Sequence, residues 1–399
     1  MSVPGWFTER RLTRAAQLLF IVFLMFWAFW FAQFIGIGDS GAPNVDFIVY
    51  WTAAKIGAAG DAALAYDPAR FEAEQTEAVG EAANGFPWIY PPVAFLLVLP
   101  LAGLSYGAAF GGWLIATGAV FVTALRRLAR GGASFWLALA FPATLFNLII
   151  GQAGLLTAGL FAWAMLLLPS RPLLAGTLLG LMAFKPHFMP LIVLALLAGR
   201  QTRALASTFV SAGAMAGVSL LAFGGEPWRE FLSQLTNSTD MLYGGIFPVA
   251  KMQSVTALVL ALGGSDLASQ VVQGVTSVSA AAFVFWLWRR DVPIEYKAAG
   301  LGLASLLATP YVYHYDLTIM GVAMLFFANR ARATGWLRWE QPMLALAWLT
   351  PLISFALGLT VSFTIGAPVL LALAGITMRR VLKEDAAHQI KAVAAKAAA

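Results

Sequence analysis

Four short stretches of this 399-residue chain carry side chains able to do chemistry. Asp46 opens an aromatic segment, Asp46-Phe47-Ile48-Val49-Tyr50-Trp51. A carboxylate there can act as a general base toward a hydroxyl group, or simply cap a helix N-terminus. Asn147 precedes Gly151-Gln152, a turn between apolar runs, where the two amides can hydrogen-bond sugar-like hydroxyls or hold adjacent helices together. Lys185 and His187 flank Pro186. Lysine suits a phosphate as a compact point charge, or its ammonium can reach back to water along its own stem. His187 is a phosphate-binding candidate or a satisfied polar side chain. The fourth stretch, Pro310 to Asp316, holds His314 and Asp316 among Tyr311, Tyr313 and Tyr315. An imidazole near a carboxylate is a candidate base, although residues two apart do not share a helix face, so direct pairing requires an extended tip.

The elements carrying these groups must be membrane helices. The chain is 60% hydrophobic and 11% charged, against about 45–50% and 25% in soluble domains, and its mean hydropathy is +0.78. A soluble enzyme is excluded, and 13% aromatic residues exclude a disordered chain. The net charge of +6 comes from short basic clusters between apolar stretches; that pattern fits cytoplasmic loops rather than nucleic-acid binding. With no cysteine, disulfides and thiolate chemistry are excluded.

Arg10, Arg11 and Arg14 precede an apolar run from Leu12 to Ile35, which reads as a first span and not a cleaved signal. Residues 36–90 are acidic and read as an outside loop holding interfacial helices, with Asp67-Pro68 as a helix start. Val45–Ala59 reads as an amphipathic helix. Residues 224–250 form a second outside loop, and 383–399 a cytoplasmic low-complexity tail. Placing every later arginine cluster inside predicts an all-α polytopic protein, a single transmembrane domain over 1–399 with about twelve spans and both termini cytoplasmic. Pro91–Leu104 and Val255–Gly263 then count as half-helices; the rival topology has Pro91–Leu104 crossing fully. Leu173–Phe184 with Phe188–Gly199, and Ala298–Thr309 with Leu317–Ala328, form two hairpins of short arms. A twelve-residue arm rises only about 18 Å, so their ionisable tips sit below the outer surface and count as functional candidates. The outside segments contain no Asp-x-Asp or Glu-x-Asp pair, no Walker A sequence occurs, and there is no His-Glu-x-x-His. Neither a divalent metal nor a nucleotide is expected.

In their order, Asn44-Val45-Asp46-Phe47 with Tyr50, Tyr66-Asp67-Pro68, Trp88-Ile89-Tyr90-Pro91-Pro92, Leu99-Pro100-Leu101, Asn147 with Gly151-Gln152, Gly180 with Lys185-Pro186, and Pro310 to Asp316 are similar to glycosyltransferase family 87. These are the bacterial polyprenol-phosphate-mannose-dependent α-mannosyltransferase-like proteins of the GT-C class. The resemblance implies a GT-C-type bundle in the bacterial inner membrane. It also implies an inverting, metal-independent and cofactor-free enzyme that takes a mannose-like hexose or arabinofuranose-like pentose from a polyprenyl-phosphate donor. The acceptor would be a lipid or glycan hydroxyl at the extracytoplasmic face. By analogy Asp46 and His314 are the catalytic candidates, Lys185 and His187 the donor-phosphate ligands, and Asn147, Gln152, Tyr90, Tyr313 and Asp316 the sugar and acceptor contacts. A transporter or flippase of lipid-linked sugars is the alternative, since broken helices with buried ionisable residues also build transport sites.

Overall fold

The computed structural model describes residues 9–34, 45–79, 86–236, 242–244 and 249–397. Asp39, Asn44 and Glu81 of the acidic loop lie outside the described residues. Among those described the chain is helical, with no strand and one isolated antiparallel bridge between Met252 and Tyr313.

Among the described residues five helices can cross a membrane by length and composition: α1 (Glu9–Phe34), α5 (Tyr106–Leu128), α11 (Thr202–Phe223), α14 (Asp266–Trp288) and α17 (Glu340–Val361). A sixth span results if α6 (Gly132–Leu139) and α7 (Pro142–Ile150), bent by 43°, count as one. Large apolar side chains such as Phe29, Val210, Leu221, Val278 and Leu359 point outward from these helices. Exposed apolar surface on this scale needs a non-aqueous neighbour, which a bilayer supplies. The apolar helices over Gly154–Leu167, Pro172–Phe184 and Pro186–Ala198 are shorter, because proline and polar turns break them before they reach a full span.

The chain divides into two compact units, residues 1–190 with 201–248, and residues 191–200 with 249–399. In the first, α2 (Phe47–Ala58) is buried on nearly every side, from Phe47 through Ala54 and at Ile56 and Gly57. The amphipathic helix expected over Val45–Ala59 is therefore a core helix; only Lys55 and Ala58 reach its surface. Asp67 does start α3 (Pro68–Val79), its Oδ1 accepting from the Ala69 and Arg70 amides at 3.1 and 3.2 Å. Over 91–104 the chain forms α4 (Val93–Val98) and a 3₁₀ turn at Leu99–Leu101. Six α-helical residues rise only about 9 Å, far less than the roughly 30 Å of hydrocarbon, so this stretch does not cross as a helix. The second segment expected outside contains α12 (Glu226–Thr236).

After α8 (Gly154–Leu167), the short arm α9 (Pro172–Gly180) packs tightly on α11. A Cβ on Gly176 or Gly180 would run into the α11 backbone at Ala204 and Thr208, so glycine four residues apart permits the approach. Thr208 Oγ1 donates to Gly176 O at 3.1 Å and Ser211 Oγ to Thr177 O at 3.0 Å. A 3₁₀ turn, Leu181–Phe184, carries the chain on to Lys185, and after Pro186–Phe188 it continues into α10 (Met189–Ala198).

The second unit contains α13 (Val255–Ala261), α14, α15 (Ile294–Ala308), α16 (Thr318–Thr334), α17 and α18 (Gly366–Ala397). Ser254 and Ser265 cap α13 and α14. Buried Gln273 joins three helices, its Oε1 accepting from Thr256 N at 3.2 Å and its Nε2 donating to Leu307 O at 2.9 Å. At the other end Arg380 and Glu340 form a buried ion pair, Arg330 meets Glu384 at 2.8 Å, and Arg290 pairs with Asp385.

Candidate functional site

Asp46 occupies the N-cap position of α2, yet its carboxylate makes no capping hydrogen bond. Instead Oδ2 accepts from Gln152 Nε2 at 3.0 Å. The amide's other end is fixed by two phenols: Tyr50 O–H donates to Gln152 Oε1 at 2.7 Å, and Tyr90 O–H lies 3.0 Å from the same oxygen. Tyr50 and Tyr90 are themselves 2.7 Å apart. Two hydroxyl protons serve three short oxygen contacts, and all three require Oε1 as acceptor or the phenols as each other's partner. The amide NH₂ therefore faces Asp46, and a donor fixed on a carboxylate orients it.

The placement follows from local sequence. Asp46 and Tyr50 are four residues apart, so they share one face at the start of α2. Tyr90 precedes Pro91-Pro92, and Tyr66 O–H holds its carbonyl at 2.8 Å. Gln152 leaves a turn made by Gly151, whose φ of +70° is left-handed. A Cβ on Gly151 would meet Phe110 Cε2 at 2.5 Å and Phe47 Cβ at 2.7 Å, while Trp113 Nε1 donates to its carbonyl at 2.8 Å. Asn147 stands beside this turn with both ends of its amide on the backbone, Nδ2 to Ala143 O at 2.8 Å and Oδ1 from Gly154 N at 2.9 Å. It locks the α7–α8 turn that presents Gln152.

Lys185 is 3% exposed, so its ammonium does not reach back to surrounding water. The turn before it, Leu181–Phe184, packs on α4 and α8, the helices that start just after Tyr90 and Gln152. His187, half-buried, follows in the next turn with its ring 4.2 Å from that of Phe188.

In the second unit the α15–α16 tip is extended at the Met252–Tyr313 bridge, with Gln253 N donating to Val312 O at 2.6 Å. His314 Nε2 lies 3.1 Å from Gln253 Nε2, and Phe355 meets the imidazole edge-to-face. The Gln253 amide is set by Thr364 Oγ1, which donates to Oε1 at 3.0 Å, and by its own donation to Met252 O at 2.9 Å. With Nε2 of the glutamine the donor, His314 Nε2 is the acceptor nitrogen of a neutral ring. Asp316 accepts from Tyr313 N at 3.1 Å, which closes the tip, and Tyr313 stacks on Tyr315. Gln253, on the approach to α13, thus supplies a hydrogen-bond partner for the imidazole from outside the tip that carries Asp316.

Asp46, Gln152 and Tyr90 thus come together as a cluster, Lys185 and His187 share one turn, and His314, Tyr313 and Asp316 share another. Tyr50 and Gln253 hold candidate side chains in place; the sequence reading named Tyr50 only within the family resemblance and did not name Gln253. The four-residue spacing from Asp46 signals Tyr50. Nothing local signals Gln253, which lies 61 residues from His314. Among the described residues no three His, Asp or Glu side chains converge as a metal site.

The fold and these clusters define a helical integral membrane protein with polar side chains concentrated at the turns of broken helices. The chain matches Glycosyltransferase family 87 over residues 88–310, more than half of its length, and it belongs to that family. It is therefore a membrane glycosyltransferase, with a sugar donor and an acceptor as its substrates. The matched span contains Tyr90, Asn147, Gln152, Lys185 and His187, whereas Asp46, Tyr313, His314 and Asp316 fall outside it. No curated protein and no solved structure matches the chain.

Proposed function

We propose that the protein moves a mannose-like hexose or arabinofuranose-like pentose from a polyprenyl phosphate to a lipid or glycan hydroxyl. The setting is the extracytoplasmic face of a bacterial inner membrane, with about twelve crossings in a GT-C-type bundle and cytoplasmic termini. Paired short apolar arms, and short arginine clusters between apolar stretches, support that topology. The observation that carries the chemistry is the Asp46 carboxylate, relieved of capping and oriented by Gln152.

In this reading the acceptor oxygen attacks the anomeric carbon from the face opposite the phosphate. The new C–O bond forms as the bond to the phosphate oxygen breaks, which inverts the configuration. Asp46 takes the acceptor proton, and the phosphate leaves with the bonding electron pair. Lys185, with His187 beside it, offsets the negative charge gathering on that oxygen; a fixed cation in a water-poor site is well suited to this. Gln152 and Tyr90 orient the sugar, and Asn147 maintains their turn. His314, poised as an acceptor by Gln253, is the second candidate base, and Tyr313 and Asp316 shape its tip for the acceptor.

The test is transfer by purified protein from polyprenyl-phosphate sugars, with Asp46→Ala and His314→Ala compared with wild type. Loss of new glycosidic bonds in either variant supports the reading. Full turnover in both rejects the assignment of the base, and sugar-lipid movement without new bonds would make the protein a flippase.

A further inference from the structure

A basic cavity opens at the end of α5 remote from Asp46. It measures about 590 Å³ and is lined by Arg127, Arg130, Arg171, Trp163, Leu166 and Leu167. The arginines come from the last turn of α5, the residues just past it, and the start of α9; the apolar lining comes from α8. α5 itself sets the depth. Tyr106 and Phe110 in its first turns pack on Phe47, next to Asp46. From Tyr106 to Arg127 the helix rises roughly 30 Å, about the thickness of the hydrocarbon layer.

We propose that this cavity binds the phosphate headgroup of an anionic phospholipid in the membrane leaflet opposite the Asp46 cluster. Guanidinium groups match phosphate oxygens in paired hydrogen bonds. A carboxylate is close by: a Cβ on Gly131 would stand 2.5 Å from Glu9 Oε1. Three arginines against one glutamate still leave the mouth positive, and Arg126 adds to it from the same helix end. The lining is two-toned, which selects an amphiphile over a free phosphate. Leu166 and Leu167 offer an apolar floor, and Trp163 is anchored by Nε1 donation to Thr123 Oγ1 at 3.2 Å. Tryptophan at that level is a usual interfacial anchor, and basic pockets between membrane helices are recognised headgroup sites. Loop arginines that only fix orientation do not need to enclose a cavity from separate segments.

The test is independent of transferase activity. Native mass spectrometry of the detergent-purified full chain counts retained phosphatidylglycerol and phosphatidylcholine. Retention of phosphatidylglycerol over phosphatidylcholine is expected, with affinity falling roughly fivefold for each arginine lost in Arg127→Gln/Arg171→Gln. Arg127→Lys/Arg171→Lys, which keeps the charge, should lose less, and Arg203→Gln, outside the cavity, should lose nothing. Equal retention of the two lipids, or an equal loss in Arg203→Gln, would leave only diffuse surface charge and overturn the proposal. Displacement by millimolar inorganic phosphate would overturn it too, in favour of a free-anion site.

Discussion

Gln152 Nε2 stands 3.0 Å from Asp46 Oδ2 across 106 residues of sequence. It is the only amide end available for that purpose, because Tyr50 and Tyr90 hold the other. The carboxylate is thereby presented in one orientation, as a proton acceptor must be when its substrate arrives in a fixed pose. Gln152→Ala is expected to lower kcat by roughly 10- to 100-fold, the worth of one hydrogen bond to a charged group. KM for the acceptor should change less. Steady-state kinetics in proteoliposomes decides this, and an unchanged kcat would remove Gln152 from the machinery.

Lys185 separates function from stability. It is buried, and the proposed phosphate contact needs its charge more than its volume. Lys185→Met should cost at least about tenfold in turnover, with the melting temperature held within about 3 °C. A large drop in melting temperature with the same loss of turnover would instead make Lys185 a structural residue.

Gly151→Ala should damage the Asp46 cluster without touching a polar atom. Alanine at a φ of +70° costs about 1–2 kcal/mol, and its Cβ would have to displace Phe110 or Phe47. Both lower stability and impaired transfer are expected, read by thermal unfolding and the same activity assay. Gly375→Ala, where a Cβ meets nothing within 4 Å, is the control that should leave both intact.

The Arg380–Glu340 pair is 2% and 0% exposed. Arg380→Met strands a buried carboxylate, with Arg379 at 3.8 Å the nearest other cation, and should cost about 3–5 kcal/mol. Arg380→Met/Glu340→Met removes both charges and should recover most of that loss. Thermal unfolding of the two variants decides whether the penalty is the orphaned charge or lost packing.

Glu384 gives the acid side of stability a definite sign. Burial pushes its carboxyl up, but the Tyr296 hydroxyl at 2.5 Å and the Arg330 guanidinium outweigh this and hold it below the ordinary value of 4.5. The folded state thus binds that proton less readily than the unfolded chain. Its contribution is fully present above the ordinary carboxylate range and is lost as pH falls through the depressed value. Melting temperature followed downward from about pH 6 should fall less steeply in Glu384→Gln than in wild type. Parallel curves would exclude Glu384 as a source of the slope.

The sequence by itself determined the environment and the punctuation. Apolar runs, basic clusters and the Gly151, Pro186 and Pro310 breaks mark helices, tips and a membrane setting, because burial in lipid and helix termination are local in the chain. It also marked Asp46, Gln152, Lys185 and His314 as chemically capable. Tertiary structure alone decided what each one faces. Asp46 sits where a cap would sit but turns to Gln152; Asn147 spends its amide on a turn; His314 meets Gln253 from a distant segment. α2 likewise became a core helix because neighbours enclose it on nearly every side, which its own periodicity does not encode. Hydrogen-bond partners more than 60 residues apart are chosen by packing, and no local pattern of side chains carries that information.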